Sequence, residues 1–352
     1  MRGRGDRLEK LLGERELERM LVTDLVNVRY LTGFTGTNGA CVCGPGVRLF
    51  FTDFRYTERA AAEVEGWETI TAAGDWLGAI AEHLEGRVGF EDDHMAVRTL
   101  EKLKEKLADG TEAVPAGGSV EQLRRVKDAE ELSAIAEASR LADSVWEWTI
   151  ERGLAGRSER DVARAAEARI RELGGDPSFP AIVAAGPNGA LPHAEPGERE
   201  IGRGELIVFD MGAMLDGYCS DGTRTYATGD PGEEARAVYG TVLEAQLAAL
   251  EALEAGARGE DVDSVARKVI EAAGHGDRFG HGLGHGVGLE VHEAPRLSPR
   301  SDDVLAPGEV VTVEPGIYLP GRLGVRIEDF VVVEEGGHRN LSALPKDLQL
   351  VG

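Results

Sequence analysis

Three apolar runs in this chain carry a carboxylic acid where a strand interior should be hydrocarbon: Leu206-Ile-Val-Phe-Asp210, Val311-Thr-Val-Glu314 and Val325-Arg-Ile-Glu328-Asp-Phe-Val-Val-Val333. An ionised carboxylate withdrawn from water is costly unless a cation or hydrogen bonds compensate it. Any fold that buries these runs must bring positive charge to the acids. Along 325–333, period-two alternation predicts Arg326 and Glu328 on one strand face and Val325 and Ile327 on the other. Glu328 alone is explicable as a buried partner of Arg326. One arginine cannot, however, neutralise Asp210, Asp221, Glu314 and Glu328 together.

Asp221 lies in Tyr218-Cys-Ser-Asp221-Gly-Thr-Arg-Thr225, eleven residues after Asp210. The turn-forming pair Asp216-Gly217 predicts a hairpin that brings the two acids close. Asp221-Gly222 alone reads as an ordinary turn; only its pairing with Asp210 marks Asp221 as a ligand candidate. Four of the eight histidines fall between His275 and His292, amid glycines at 280, 282, 284, 286 and 288 that let backbone approach a ligand closely. A merely flexible loop fits poorly with Leu289 and Val291, which predict a strand over Leu289–His292. A P-loop would end in Lys-Ser/Thr, which this run lacks, and a dinucleotide fingerprint requires a strand just before it.

Four carboxylates and the imidazole of His285 carry a formal charge of about −4, which two divalent cations cancel. Hard oxygens with a single nitrogen suit manganese, cobalt, iron or zinc. A mononuclear iron oxygenase, with two histidines and one carboxylate, leaves three acids unexplained.

Other features bound the reading. With 39 Lys plus Arg against 63 Asp plus Glu, the net charge of −24 opposes nucleic acid and anionic membranes as partners. No run of 18 apolar residues exists, and residues 1–20 lack an apolar signal core, so the expected location is cytoplasmic. Cys41, Cys43 and Cys219 cannot form a disulfide framework and read as small apolar fillers.

A chain of 352 residues predicts two domains. The first part alternates helical and extended patterns: a helix around Arg7–Met20, strands at Leu21–Thr23, Ala40–Cys43 and Val47–Phe51, and a helix at Thr57–Val64. That pattern implies α/β with a mixed sheet. Val114-Pro-Ala-Gly-Gly-Ser119 breaks it, placing the domains at 1–118 and 119–352. A long helix is then expected over Val120–Glu151 and another from Ser158, its N-cap. Strands at Ala181–Ala185, Glu205–Leu215, Tyr218–Thr228, Val310–Glu314 and Gly316–Leu319 come in blocks with two helices, Gly232–Glu254 and Glu260–Ala273, between them. This implies α+β, with helices covering an antiparallel sheet.

The strands bearing Asp210 and Asp221, with Gly-His285-Gly-Val-Gly-Leu-Glu-Val-His292-Glu, Val-Glu314-Pro-Gly-Ile-Tyr and Gly-Val-Arg326-Ile-Glu328-Asp, resemble the pita-bread metallopeptidases. Within them the resemblance is to Xaa-Pro peptidases: proline-specific aminopeptidases and Xaa-Pro dipeptidases (prolidases). Asn27-Val-Arg-Tyr-Leu-Thr-Gly-Phe34 and Phe51-Thr-Asp53-Phe-Arg-Tyr56 are similar to the creatinase-type N-terminal domain of those enzymes. The resemblance implies two divalent metal ions per chain (Mn, Co or Zn, with Fe also suitable), bridged by Asp221 and Glu328. Asp210 completes one ion; His285 and Glu314 complete the other.

It also implies attack by a metal-bridging hydroxide, with Glu314 shuttling the proton, His292 stabilising the oxyanion and His193 contacting substrate near the scissile bond. Phe179, Tyr218 and Arg296 would line the proline and carboxylate ends of the pocket, and Arg326 would hold a carboxylate ligand in place. His281 stands where an arginine often does, and its role stays open. The implied reaction is hydrolysis of the Xaa-Pro bond in short proline-containing peptides by an Xaa-Pro aminopeptidase, with an Xaa-Pro dipeptidase as the alternative. A non-catalytic pita-bread module is a remote third reading, since it has no reason to keep every ligand. Relatives are commonly homodimers.

Overall fold

The computed structural model describes residues 3–352. The chain forms two compact units, one reaching Arg124 and the other comprising Arg125–Gly352.

The first unit runs α1 (Arg4–Glu14), β1 (Arg19–Val22), α2 (Leu25–Thr32), β2 (Ala40–Gly44), β3 (Val47–Thr52), α3 (Thr57–Glu63), β4 (Glu68–Thr71), α4 (Trp76–Ala81), β5 (Arg87–Phe90), α5 (Val97–Lys104) and β6 (Glu112–Pro115). Its six-stranded sheet has the order β4-β3-β2-β1-β5-β6. β1–β2 and β2–β3 pair antiparallel and the remaining neighbours pair parallel, a mixed sheet. Leu21, Val42, Phe51 and Phe90 on the sheet bury against Ile80 and Leu103 on the helices. The first helix is shorter than its periodicity predicts. Glu16 turns the chain at φ 55, and Arg19 and Met20 are taken into β1 opposite Val88 and Gly89.

The long helix expected over Val120–Glu151 is two: α6 (Ser119–Arg125) and α7 (Ala129–Ile150). Val126 bridges Glu309. Asp128 then starts α7 afresh through a capping box with Glu131, the Glu131 N–H donating at 2.9 Å and the Asp128 N–H donating back at 3.0 Å. α8 (Glu159–Glu172) starts on Ser158, whose hydroxyl accepts from the Asp161 N–H.

The second unit continues β7 (Asp176–Pro177), β8 (Ile182–Ala185), β9 (Leu206–Asp210), β10 (Ala213–Leu215), β11 (Tyr218–Cys219), β12 (Thr223–Ala227), α9 (Glu233–Glu251), α10 (Gly259–Ala272), β13 (Gly284–Gly286), β14 (Glu293–Leu297), β15 (Val310–Val313), β16 (Gly316–Leu319), β17 (Leu323–Arg326), β18 (Asp329–Glu334) and β19 (Gly337–Asn340). The strands form antiparallel sheets in the orders β12-β9-β8, β11-β10-β7, β14-β13-β15-β18-β19 and β16-β17. Helices cover them as expected for α+β. Val242, Ala249, Val262 and Ile270 of α9 and α10 bury with Val311, Val313 and Val331. Val145, Trp146, Val162 and Ile170 of α7 and α8 bury with Val183, Ile207 and Phe209.

Four strand expectations fail. The run 218–228 is two strands, β11 and β12, because the chain leaves the β10 ladder after Cys219 and joins β9 at Thr223. The run 325–333 is not one strand: β17 pairs with β16, the chain leaves the ladder at Ile327, and β18 pairs with β15. Arg326 and Glu328 therefore do not share one strand face. The run 205–215 breaks at Gly212, where a Cβ would lie 1.9 Å from the Ser220 carbonyl oxygen, a backbone crossing only glycine permits. Leu289–His292 is a bend, not a strand, because the chain turns there from β13 into β14.

Candidate metal centre

Asp210 ends β9 and pairs directly with Thr223, the first residue of β12. The turn at Asp216 (φ 48) and Gly217 (φ 79) joins β10 to β11 and sends the chain back, and Asp221 lies in the short connection between β11 and β12, where the Gly222 carbonyl accepts from the Met211 N–H at 3.1 Å beside Asp210. Glu328, in the switch between β17 and β18, bridges Thr223: its N–H donates to the Thr223 carbonyl at 3.0 Å, and the Thr223 hydroxyl donates to Glu328 Oε2 at 2.7 Å. His285 sits at the centre of β13, pinned by its N–H to Thr312 Oγ1 at 3.0 Å. A Cβ at Gly284 would lie 1.9 Å from the Thr312 carbonyl oxygen, so glycine beside the histidine is what lets β13 and β15 close on each other.

These side chains converge. His285 Nε2 lies 3.6 Å from Asp221 Oδ2 and 3.3 Å from Glu314 Oε1. Ligand atoms of Asp221, His285 and Glu328 all lie within 4.8 Å of one another, and all three residues are buried. His285 Nδ1 faces the Gly286 carbonyl at 3.0 Å, which holds a ring N–H there, so that in the neutral ring Nε2 faces the acids as a lone-pair donor. Arg326 Nη2 donates to Asp210 Oδ2 at 2.6 Å, its Nε to Thr223 Oγ1 at 3.0 Å and its Nη1 to the Tyr318 hydroxyl at 3.0 Å.

The electrostatics show what the cluster lacks. Burial, then repulsion from Asp210, raises Asp221 well above the ordinary carboxyl range; burial, then Asp221, does the same to Glu328. Burial also raises Asp210, although Arg326 opposes it. For Glu314, burial pushes the carboxyl up, but the hydrogen bond and charge of His285 outweigh it and the group stays low. Burial pulls His285 down, but Glu314 and Asp221 outweigh it, so the imidazole is raised. Protein cations thus satisfy only part of the negative charge. Asp210 Oδ1 is buried with no hydrogen-bond partner. An orphaned carboxylate oxygen, two acids forced toward protonation and an imidazole with its outer nitrogen anchored form a donor set that divalent cations fit.

The centre floors a cavity of about 670 Å³ whose lining includes Phe179, His193, His281, His292 and Arg296 with Asp210, Asp221, His285, Glu314, Arg326 and Glu328. Tyr218 is not in that lining; its hydroxyl donates to Glu131 at 3.1 Å, and its ring packs beside Cys219 and Val287. His292 stacks edge-on against His285, ring centroids 4.4 Å apart, and burial followed by the His285 charge lowers its pKa. His281 contacts the Tyr318 hydroxyl through Nε2 at 2.9 Å, and burial lowers its pKa. Thr223, Thr312 and Tyr318 are site residues that no local sequence pattern marks, although a hairpin register through Asp210 puts Thr223 directly opposite.

Residues 133–335 match metallopeptidase family M24, and residues 4–126 match the creatinase/prolidase N-terminal domain. The chain belongs to metallopeptidase family M24. It is 36% identical over 351 residues to an Xaa-Pro dipeptidase of Pyrococcus furiosus, covering 99% of this chain and 100% of the relative. Among solved structures, an Xaa-Pro dipeptidase from Bacillus anthracis superposes with a TM-score of 0.96 at 38% identity, covering 99% of each chain. An X-Pro aminopeptidase from Thermotoga maritima does so at 0.92 and 35%, covering 98% of this chain and 100% of the other. The protein is a metal-dependent M24 peptidase with a creatinase-type N-terminal domain followed by a pita-bread catalytic domain. No helix among the described residues is long and apolar enough to cross a membrane.

Proposed function

We propose that this peptidase hydrolyses the bond between an N-terminal residue and proline in short peptides, using two divalent ions held by Asp210, Asp221, His285, Glu314 and Glu328. The observation that carries the reading is the approach of Asp221, His285 and Glu328 ligand atoms to within 4.8 Å of one another, in a cavity also lined by Phe179, His292 and Arg296. When bound, the ions lower the pKa of water toward neutrality and polarise the scissile carbonyl. Asp221 and Glu328 would hold both ions, Asp210 would complete one, and His285 with Glu314 would complete the other; manganese, cobalt, zinc or iron would suit the set. Glu314 takes the proton from the attacking water and delivers it to the proline nitrogen. His292 donates to the developing oxyanion, and His193 contacts substrate beside the scissile bond.

Of the two peptidase readings, Arg296 favours the dipeptidase. It pairs with His285 across β13 and β14, and its side chain lines the cavity, where a guanidinium suits a free proline carboxylate. Relatives named Xaa-Pro dipeptidase support this reading, while the relative named X-Pro aminopeptidase supports the other. A cytoplasmic location is supported by three free, buried cysteines, and a homodimer is the assembly expected from the family resemblance.

The test is release of the first residue from Xaa-Pro and Xaa-Pro-Xaa peptides by protein stripped with a chelator and reloaded with Mn²⁺. Metal-dependent release that Asp221→Ala abolishes is expected. Full activity in Asp221→Ala, or no release of the first residue from either peptide, overturns the reading.

A further inference from the structure

Arg224, on β12 beside Thr223, uses all five donors of its guanidinium. Nη1 donates to the carbonyls of Thr223 (3.0 Å) and Glu328. Nη2 donates to Asp329 Oδ1 (2.7 Å) and the Leu344 carbonyl (2.9 Å), and Nε to the Pro345 carbonyl (3.1 Å). One side of the group thus grips the Thr223–Glu328 bridge that frames a metal-facing carboxylate. The other side grips the C-terminal segment.

Asp329 joins the two. Its Oδ2 accepts from Lys346 Nζ at 2.8 Å, Asn340 Nδ2 at 2.7 Å and Gln246 Nε2 at 3.2 Å. Asp329 and Gln246 are 0% exposed and Arg224 2%. Lys346 is fixed in turn, its Nζ donating to Gln246 Oε1 at 3.2 Å and its carbonyl accepting from the Tyr239 hydroxyl at 2.7 Å.

Burying an arginine and an aspartate this deeply is not needed for packing, because apolar residues of similar volume fill such space at no electrostatic cost. What the ion pair adds is direction. It fixes the backbone carbonyls on both sides of the bridge through which Thr223 Oγ1 holds Glu328 Oε2 at 2.7 Å.

We infer that residues 340–346 act as a clasp which, through Lys346, Asp329 and Arg224, sets the position of the Glu328 carboxylate and so governs how tightly a divalent ion is held. The inference rests on the metal-centre reading above. Asp329, Arg224 and Lys346 are positioning residues in it: none lines the cavity, and each acts through Glu328. Lys346 is the informative one to change, since it lies at the far end of this chain of contacts from Glu328 and its side chain is 22% exposed.

The experiment titrates Mn²⁺ calorimetrically into chelator-stripped full-length protein and records the melting temperature of each stripped sample. Wild type is compared with Lys346→Met, Lys346→Arg and Asp329→Asn. Lys346→Met and Asp329→Asn are expected to weaken Mn²⁺ binding by at least about tenfold, the usual cost of losing a partner that orients a ligand. Lys346→Arg is expected to restore most of it. A stripped-state melting temperature near wild type for Lys346→Met would separate positioning from bulk stability. Wild-type Mn²⁺ affinity in Lys346→Met, or a lowered melting temperature with unchanged affinity, overturns the clasp. If Asp329→Asn does not fold, Lys346→Met decides alone. If wild-type protein itself takes up no Mn²⁺, the metal-centre reading fails and the clasp with it, an outcome distinct from binding that the variants leave unchanged.

Discussion

Arg326 holds one oxygen of Asp210 at 2.6 Å, while the other oxygen of that carboxylate is buried without a partner. In the proposed metal centre the guanidinium turns the acid so that its free oxygen is left for a cation. Arg326→Met should therefore lose about 10- to 100-fold in Mn²⁺ affinity and in kcat/KM at limiting metal. Arg326→Lys should recover only part, because an ammonium cannot reproduce the separate contacts to Asp210, Thr223 and Tyr318. Metal titration beside steady-state kinetics checks both; equal affinity in Arg326→Met and wild type would show that Asp210 needs no such orientation.

Asp221 and Glu328 are raised by burial and by neighbouring acids, and this gives the metal dependence of stability a definite sign. In the metal-free fold these groups bind protons more readily than in the unfolded chain. Their contribution is therefore fully present below the ordinary carboxyl pKa and is lost as pH rises through the raised values. Metal binding requires the ionised forms and competes with the protons. The rise in melting temperature on adding Mn²⁺ should accordingly be large near about pH 8 and shrink toward about pH 5. Thermal melts across that range, with and without Mn²⁺, test it; a metal-induced rise that grows on acidification contradicts it.

Gly284 offers a purely steric test of how His285 is placed. A methyl group there meets the Thr312 carbonyl oxygen at 1.9 Å and its carbon at 2.7 Å, and paired backbone has little room to yield. Gly284→Ala should destabilise the catalytic unit by about 1–3 kcal/mol or more, as overpacking does. It should also lower metal affinity, since β13 carries His285. Gly13→Ala, where nothing lies within 4 Å of the added carbon, is the control and should melt like wild type. Chemical denaturation of the three proteins gives the comparison.

How much of this could be read from sequence depends on what each residue answers to. Asp210, Glu314 and Glu328 stood out because an acid inside an apolar run breaks a local rule, and the Asp216-Gly217 turn gave Asp221 its partner through local chemistry. The failures are all non-local. Gly212 interrupts a strand because Ser220 crosses it, and Ile327 leaves its ladder because β17 and β18 have different partners. The helix expected through Val126 stops because that residue bridges Glu309, far along the chain. Period-two alternation assumes one uninterrupted strand, so it placed Arg326 and Glu328 on a common face. In the fold they meet through Thr223, which neither alternation nor composition marks. The Arg224–Asp329 pair was hidden for the same reason: its partners at 340–346 announce nothing until the chain is folded.

Arg296 tests the substrate's far end. The cross-strand pairing His285↔Arg296 and the tie from the Arg296 N–H to Asp303 Oδ2 at 2.7 Å fix its backbone, while its side chain lines the cavity. In an Xaa-Pro dipeptide the proline carboxylate is free and carries charge; in Xaa-Pro-Xaa an amide replaces it. A charge-assisted hydrogen bond contributes about 1.5–3 kcal/mol, or roughly 10- to 150-fold in kcat/KM. Arg296→Ala should therefore cut dipeptide hydrolysis by that factor and tripeptide hydrolysis by only a few-fold. Metal content should not change, because the residue contributes no atom to the cation site. Parallel kinetics on an Xaa-Pro dipeptide and its C-terminally extended counterpart make the comparison. Equal losses on both would assign Arg296 to the cavity's general electrostatics and leave the dipeptidase reading without its cation.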